Sequence, residues 1–261
     1  MKALKRIFNI ASIALAMTII TSSCTEGLLG NNDDPNIGTD KKIFECCGTV
    51  MGNRAYGYFV YPDKHTSPFI KTIYMAPGTD MEPLMNQGYI DNHRVHMIYR
   101  CEPGGLEPIY SYSSTMEYAA HDVELISAEG IFSSPLYFLS ENDHENNITM
   151  PATRLIDLWG NNGCLTFITK IEPEERNWAS VRAICYYDEE NSTDDTLVLL
   201  ALIIGVVDDS QNKTQSFSSV SLKAVADRYK DKNDVKVQIY GQDGLLNTLR
   251  LRGSDFISPL D

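Results

Sequence analysis

From residue 46 onward the chain is a series of short, β-prone runs, each cut off by turn-forming residues, and this pattern bars most fold classes. AYGYFVY at 55–61 stops at Pro62-Asp63, and FIKTIYM at 69–75 stops at Pro77-Gly78. Residues 94–101 alternate: Val95, Met97, Tyr99 and Cys101 point one way, and Arg94, His96, Ile98 and Arg100 the other. That two-residue period describes a half-buried strand. The turn 102–105 (EPGG) leads into 107–118, rich in Tyr and Ser, and 120–126 is a further apolar stretch. Strands at this spacing, with turn residues between them, indicate a small barrel or a sandwich. The first unit is expected to end near Ser127.

Residues 128–151 are less regular and carry a polar run at 141–147. Strand character then returns at 153–159, followed by the turn 160–163 (GNNG), and again at 163–171 and 178–187. The segment 196–207 (TLVLLALIIGVV) is too short to cross a bilayer, which takes roughly 20 residues. It reads instead as a central strand buried on both faces. A strand is expected over 216–225, one helical turn over 226–232, and a hairpin from 235–240 through GQDG at 241–244 into 245–251. No long amphipathic helix and no internal repeat is present. The fold class is therefore all-β in two units, 43–127 and 128–261.

The N-terminus carries an address. Lys2, Lys5 and Arg6 precede an apolar stretch at 7–20, and small residues 21–23 lead to Cys24. Basic, apolar, then small at the cut is the order of a cleavable signal peptide, here 1–23. A Cys directly after the small residues marks a lipoprotein signal, so Cys24 is the expected lipidation site and new N-terminus. Residues 24–42, rich in Gly, Asn and Asp, read as a flexible tether. Loss of Lys2, Lys5 and Arg6 leaves 19 basic against 35 acidic residues, a net charge of −16. That balance argues against nucleic acid and anionic lipid headgroups as partners. The expected membrane contact is the lipid on Cys24.

Five further cysteines follow: Cys46, Cys47, Cys101, Cys164 and Cys185. None lies in a zinc-like spacing. A hairpin centred on the loop 172–177 would pair residues whose numbers sum to 349, and Cys164 and Cys185 do so. Directly opposed strand residues lie within disulfide reach. Two readings stand: a Cys164–Cys185 bridge, or two buried thiols.

Catalytic signatures are missing: there is no GxSxG elbow, Walker loop, GxGxxG or HExxH, and no catalytic residue is assigned. His93 and His96 are three apart, so on a strand they point to opposite faces, and they read as solvent-facing rather than as metal ligands. The acidic loops 188–195 and 208–212 lack EF-hand spacing and read as solvated. No metal and no cofactor is expected. Three sequons, at Asn147, Asn191 and Asn212, have little use in a bacterial lipoprotein. Tyr56, Tyr58, Tyr61, Tyr110, Tyr112 and Tyr118 either form an aromatic face for sugar or peptide, or pack as ordinary strand residues.

Two segments carry a family resemblance. Residues 88–99 (GYIDNHRVHMIY) and 154–167 (RLIDLWGNNGCLTF), the latter with Trp159, resemble the strand motifs of the NigD-like lipoproteins. The resemblance implies an N-terminal OB-like small β-barrel followed by a C-terminal β-sandwich, and it brings no catalytic motif. A member linked to a bacteriocin cluster suggests an immunity role. The resulting expectation is a non-enzymatic, outer-membrane-anchored lipoprotein with a binding or structural, immunity-like role and a protein partner. The alternative is a glycan-binding surface lipoprotein. Asp33 and Asp34 lie late in the tether, so the periplasmic and cell-surface faces of the outer membrane both remain open.

Overall fold

The computed structural model describes residues 42–85, 93–109, 116–139, 148–170, 180–206 and 214–260. Cys24 and the tether up to residue 41, the loops 172–177 and 208–212, the run 141–147, and Tyr110, Tyr112, Asn147 and Asn212 lie outside them; Lys42, expected to end the tether, already opens the first strand. Among the described residues no helix is long and apolar enough to cross a membrane.

The first six strands are β1 (Lys42–Asn53), β2 (Gly57–Pro62), β3 (Ile70–Met75), β4 (Arg94–Cys101), β5 (Leu106–Ile109) and β6 (Glu117–Gly130). β1 pairs antiparallel with β2 and β4, β2 with β3, and β4 with β6, while β3 and β6 run parallel. The ring β3-β2-β1-β4-β6 is thus closed, with β5 laid beside β6. A three-stranded meander closed through a parallel contact with the last strand is the connectivity of an OB barrel. The alternation read in β4 is realised: Val95, Met97, Tyr99 and Cys101 are buried among Val50, Val60, Ile73 and Val123. β6 continues past Ser127 to Gly130, and the second sheet begins two residues later.

That sheet contains β7 (Phe132–Phe138), β8 (Ile148–Thr149), β9 (Leu155–Asn161), β10 (Cys164–Lys170), β11 (Ser180–Tyr187), β12 (Thr196–Val206), β13 (Gln215–Ser221), β14 (Val235–Gly241) and β15 (Gly244–Leu251). β7 belongs to two layers. Its first half runs parallel to β13, which leads on to β10 and β9. Its second half runs parallel to β11, which leads on to β12, β14 and β15. Pro135, which has no N–H to donate, stands where the pairing changes from β13 to β11. The two layers close on one core built from Leu158, Leu165, Phe167 and Val220 on one side and Cys185, Leu197, Leu199 and Val237 on the other. β12 is central as expected. It sends Leu197, Leu199, Ala201 and Ile203 into that core, and Leu200, Leu202 and Ile204 into a second patch with Phe132 and Tyr186.

Three expectations change. β7 is a full strand in a stretch read as irregular. The expected strand 216–225 stops at Ser221, and the helix α1 (Lys223–Tyr229) begins earlier than expected, because Val225 and Tyr229, four apart, bury one helical face. The third change concerns the cysteines. β10 and β11 are both present, but they do not pair with each other: β10 lies between β9 and β13, and β11 between β12 and β7. Leu165 and Phe167 of β10 point into the sandwich core, so Cys164 points the other way, whereas Cys185 points into the core. No disulfide joins Cys164 and Cys185; both are buried thiols.

Candidate functional site

The barrel meets the sandwich around one buried ion pair. Asp63 and Arg94 are both fully buried and face each other in two-pronged geometry, at 2.8 Å (Nη1 to Oδ1) and 2.5 Å (Nη2 to Oδ2). Arg94 opens β4 on the face opposite the barrel core, so its side chain is directed at the neighbouring body. Asp63 follows β2 and is held by its own backbone: its N–H donates to the Cys47 carbonyl, and its carbonyl accepts from the Thr66 and Ser67 amides. The sandwich supplies most of the remaining partners. Trp159 of β9 donates its indole N–H to Asp63 Oδ2 at 2.8 Å. Asn162, at the tip between β9 and β10, donates to Asp63 Oδ1 at 3.1 Å and to the Tyr61 carbonyl at 3.3 Å. Arg94 Nη2 also donates to Thr166 Oγ1 of β10 at 2.8 Å, and Nη1 to Thr49 Oγ1 of β1 at 3.1 Å.

Burial works against the charge on Arg94, but the charge and hydrogen bonds of Asp63 outweigh it and raise the guanidinium pKa. The same burial, with Asp63 alongside, pushes the Cys47 thiol well up. An apolar patch of Cys47, Ile131 and Trp159, flanked by Ile168 and Phe217, excludes water beside the pair.

Two histidines bridge the same junction. His65 stacks on Trp159 (centroids 4.6 Å apart) and bonds Asp157 Oδ2 at 2.8 Å. That hydrogen bond raises the His65 pKa and lowers the Asp157 pKa. His96 stacks on Phe217 at 4.4 Å, with Glu45 Oε1 2.7 Å from Nε2 and Glu129 Oε1 3.4 Å from Nδ1. Burial opposes its charge, yet the hydrogen bonds to Glu129 and Glu45 and their charges push its pKa up to about 9. The solvent-facing reading of His96 is therefore corrected: at neutral pH it is a half-buried cation between two carboxylates.

The two segments that carry the family resemblance meet here, Arg94 from one and Trp159 and Thr166 from the other. Asp63, which joins them, was missed by sequence reasoning, because an Asp after Pro62 looks like an ordinary turn residue. Among the described residues no group of three or more His, Cys, Asp or Glu side chains is placed to hold a metal ion. The acidic loop 188–195 folds on itself, with Asp188 accepting from the Asn191 amide and side chain and from Ser192 Oγ.

The tyrosines separate. Tyr58 is buried, with its hydroxyl 3.3 Å from Asp80, so it belongs to no exposed face. Tyr56 is almost fully exposed, and Tyr61 and Tyr118 are half-buried. An outward-facing aromatic row does exist, but it is made of Tyr61, Phe59, Tyr74 and His121, of which Tyr74 is exposed and Phe59 and Tyr61 are half-buried. The alternation in 55–61 already puts Phe59 and Tyr61 on one side and Tyr58 and Val60 on the other.

No protein-family model and no curated protein matches the chain. Solved structures do. One is a protein described as toxin-related from Parabacteroides distasonis, 12% identical, aligned over 82% of this chain and 95% of that one with a TM-score of 0.43. Another is a protein of unknown function from Bacteroides vulgatus, 11% identical over 80% and 90% of the two chains, TM-score 0.40. A third is a NigD-like immunity protein from Bacteroides caccae, 13% identical over 81% and 92%, TM-score 0.43. Over most of its length, this chain is similar in structure to those three proteins.

Proposed function

We propose that the protein is a non-enzymatic lipoprotein, anchored to the outer membrane through lipid on Cys24, whose two β bodies act as one binding unit for a protein partner in an immunity-like role. The observation that carries this reading is the junction. Asp63 takes four hydrogen bonds from Arg94, Trp159 and Asn162, all supplied by this chain, so the buried charges hold the barrel to the sandwich. The residues behind the family resemblance are thus structural, and recognition falls to the outer surface. The signal at 1–23 and the following Cys24 support the anchoring.

The test begins with membrane fractions. Wild-type protein is expected in the detergent phase after phase separation, and a Cys24→Ser form in the aqueous phase. A Cys24→Ser form that stays with the membrane sinks the anchoring. Crosslinking in intact membranes that repeatedly captures no protein partner sinks the protein-binding role. A second reading, glycan binding, is favoured by one observation, the outward-facing aromatic row on β2, β3 and β6.

A further inference from the structure

An edge strand presents a row of N–H and C=O groups with no strand beside it, and so offers a template to another chain. Among the described strands, β5, β9 and β15 each pair on one side only, as does the two-residue β8. β5 carries Pro108, which has no N–H to give an incoming strand. β9 and β15 contain no proline and stand at the two ends of one sheet. They approach each other at one point, where a Cβ on Gly160 would lie 2.7 Å from the Leu251 methyls, but they form no ladder.

Each of these two strands closes one edge donor with the side chain of the residue before it. In β9 the Leu158 N–H donates to Asp157 Oδ1 at 2.8 Å, and His65 of the barrel holds Asp157 Oδ2, also at 2.8 Å. In β15 the Thr248 N–H donates to Asn247 Oδ1 at 2.7 Å. Along an antiparallel pair, alternate residues exchange bonds with their partner, and those between them turn their N–H and C=O away. Leu158 lies opposite Phe167 of β10, and Thr248 opposite Gln238 of β14. An N–H bonded to the adjacent side chain belongs to the second kind, so both donors lie on the free edges.

The two caps differ in support. His65 stacks on Trp159 and pins Asp157, so a strand approaching β9 has to break into the junction first. Among the described residues, the Asn247 side chain makes only its bond to Thr248. The rest of β15 suits a second copy of this chain. Leu246 is an extra residue between the pairs Tyr240–Leu245 and Ile239–Asn247, and such a bulge bends the edge, so the straight part begins at Asn247. Within it Leu249 packs against the core while Thr248 and Arg250 face outward. β15 holds no acidic residue, in a chain with 35 acidic against 22 basic, and its one charge, Arg250, is paired with Asp234. A two-fold axis through Thr248 sets that residue opposite its own copy and Arg250 opposite Leu246, so no like charges meet.

We propose that Asn247 is a guard residue: by holding the Thr248 N–H it keeps β15 from pairing antiparallel with β15 of a second copy, and so keeps the protein monomeric. A second copy reaches Thr248 only by displacing the amide, once on each side, so two caps are lost per dimer. The test is sedimentation equilibrium of the full-length lipidated protein in density-matched detergent. The native protein and Asn247→Asp, which keeps the cap, are expected to be monomers. Asn247→Ala should dimerise about tenfold more tightly or better, two hydrogen bonds no longer being given up. Adding Thr248→Pro, which deletes the edge donor without touching the β14 ladder, should return Asn247→Ala to a monomer with an unchanged melting temperature. The register has its own readout: Thr248→Cys combined with Asn247→Ala should form a disulfide-linked dimer with copper–phenanthroline, and Thr248→Cys alone should not. An Asn247→Ala protein as monomeric as the native one overturns the guard role. So does a dimer that survives Thr248→Pro, or equal crosslinking with Asn247 in place. None of these results bears on the Cys24 anchor or on a different protein partner, which are read by phase separation and crosslinking in membranes.

Discussion

Asp63 accepts from Arg94, Trp159 and Asn162, and His96 is clamped by Glu45 and Glu129, so the junction depends on a few individual ionisable groups. His96 makes a pH-dependent contribution whose sign is fixed. Its pKa rises from 6.5 to about 9 on folding, so the stabilisation is fully present below about 6.5 and is lost as pH rises through about 9. Denaturant unfolding at a series of pH values between 6 and 10 should show stability falling across that window. His96→Gln should flatten the fall, and an unchanged slope in the variant would refute the assignment. On the acid side the sign reverses. The His96 hydrogen bond lowers the Glu45 pKa, so that contribution is lost as pH falls through it. Little of this was legible in the sequence. His96 was placed correctly on the outward face of β4, but outward from the barrel turned out to mean inward to the junction. A strand pattern tells which side a residue faces and not what lies on that side. Asp63 carried no mark at all, because its burial comes from residues about a hundred positions further on.

Elements were legible where one local cause fixed them. The turn 160–163 becomes a two-residue hairpin with Asn162 at φ 53° and Gly163 at φ 71°, both left-handed, as a type I′ turn requires. A Cβ on Gly163 would also press on Ser258. Gly163→Ala should therefore destabilise the protein by more than about 1 kcal/mol, whereas the usual Gly→Ala change at an unstrained position gains about 0.4–1 kcal/mol. The comparison is made by chemical denaturation, and a neutral or stabilising result would contradict the turn. β12 and the β14–β15 hairpin were legible for similar reasons, an unbroken apolar run and a Gly-flanked tip. β7 was not, because Ser133, Ser134 and Pro135 mask a strand whose partners, β13 and β11, lie far along the chain. The β10–β11 hairpin failed for the opposite reason. Two good strands joined by a short loop looked like neighbours, but β10 pairs back with β9 and with the distant β13, and β11 pairs forward with β12 and with β7.

For the whole molecule, the two bodies should lose structure together. Breaking a buried ion pair from one side costs about 3–5 kcal/mol, because the remaining charge stays buried without its partner. Asp63→Ala removes the group on which Arg94, Trp159 and Asn162 converge. Scanning calorimetry should show one transition for the native protein. In the variant, a lower one or two separated ones should appear, while replacing both members, Asp63→Leu with Arg94→Met, should recover much of the loss. Two transitions in the native protein would mean the junction does not couple the bodies. The pairing of β1 with β4 has a mechanical side as well. Lys42 lies opposite Cys101 at one end of that ladder, and Thr49 lies opposite Arg94 at the other. A pull on the chain ahead of Lys42 runs lengthwise down β1, loads all eight paired positions in shear, and arrives at the residue that grips the sandwich. If the protein is held through Cys24 as proposed above, drag on its far end would load the whole β1–β4 ladder before it peels any single strand.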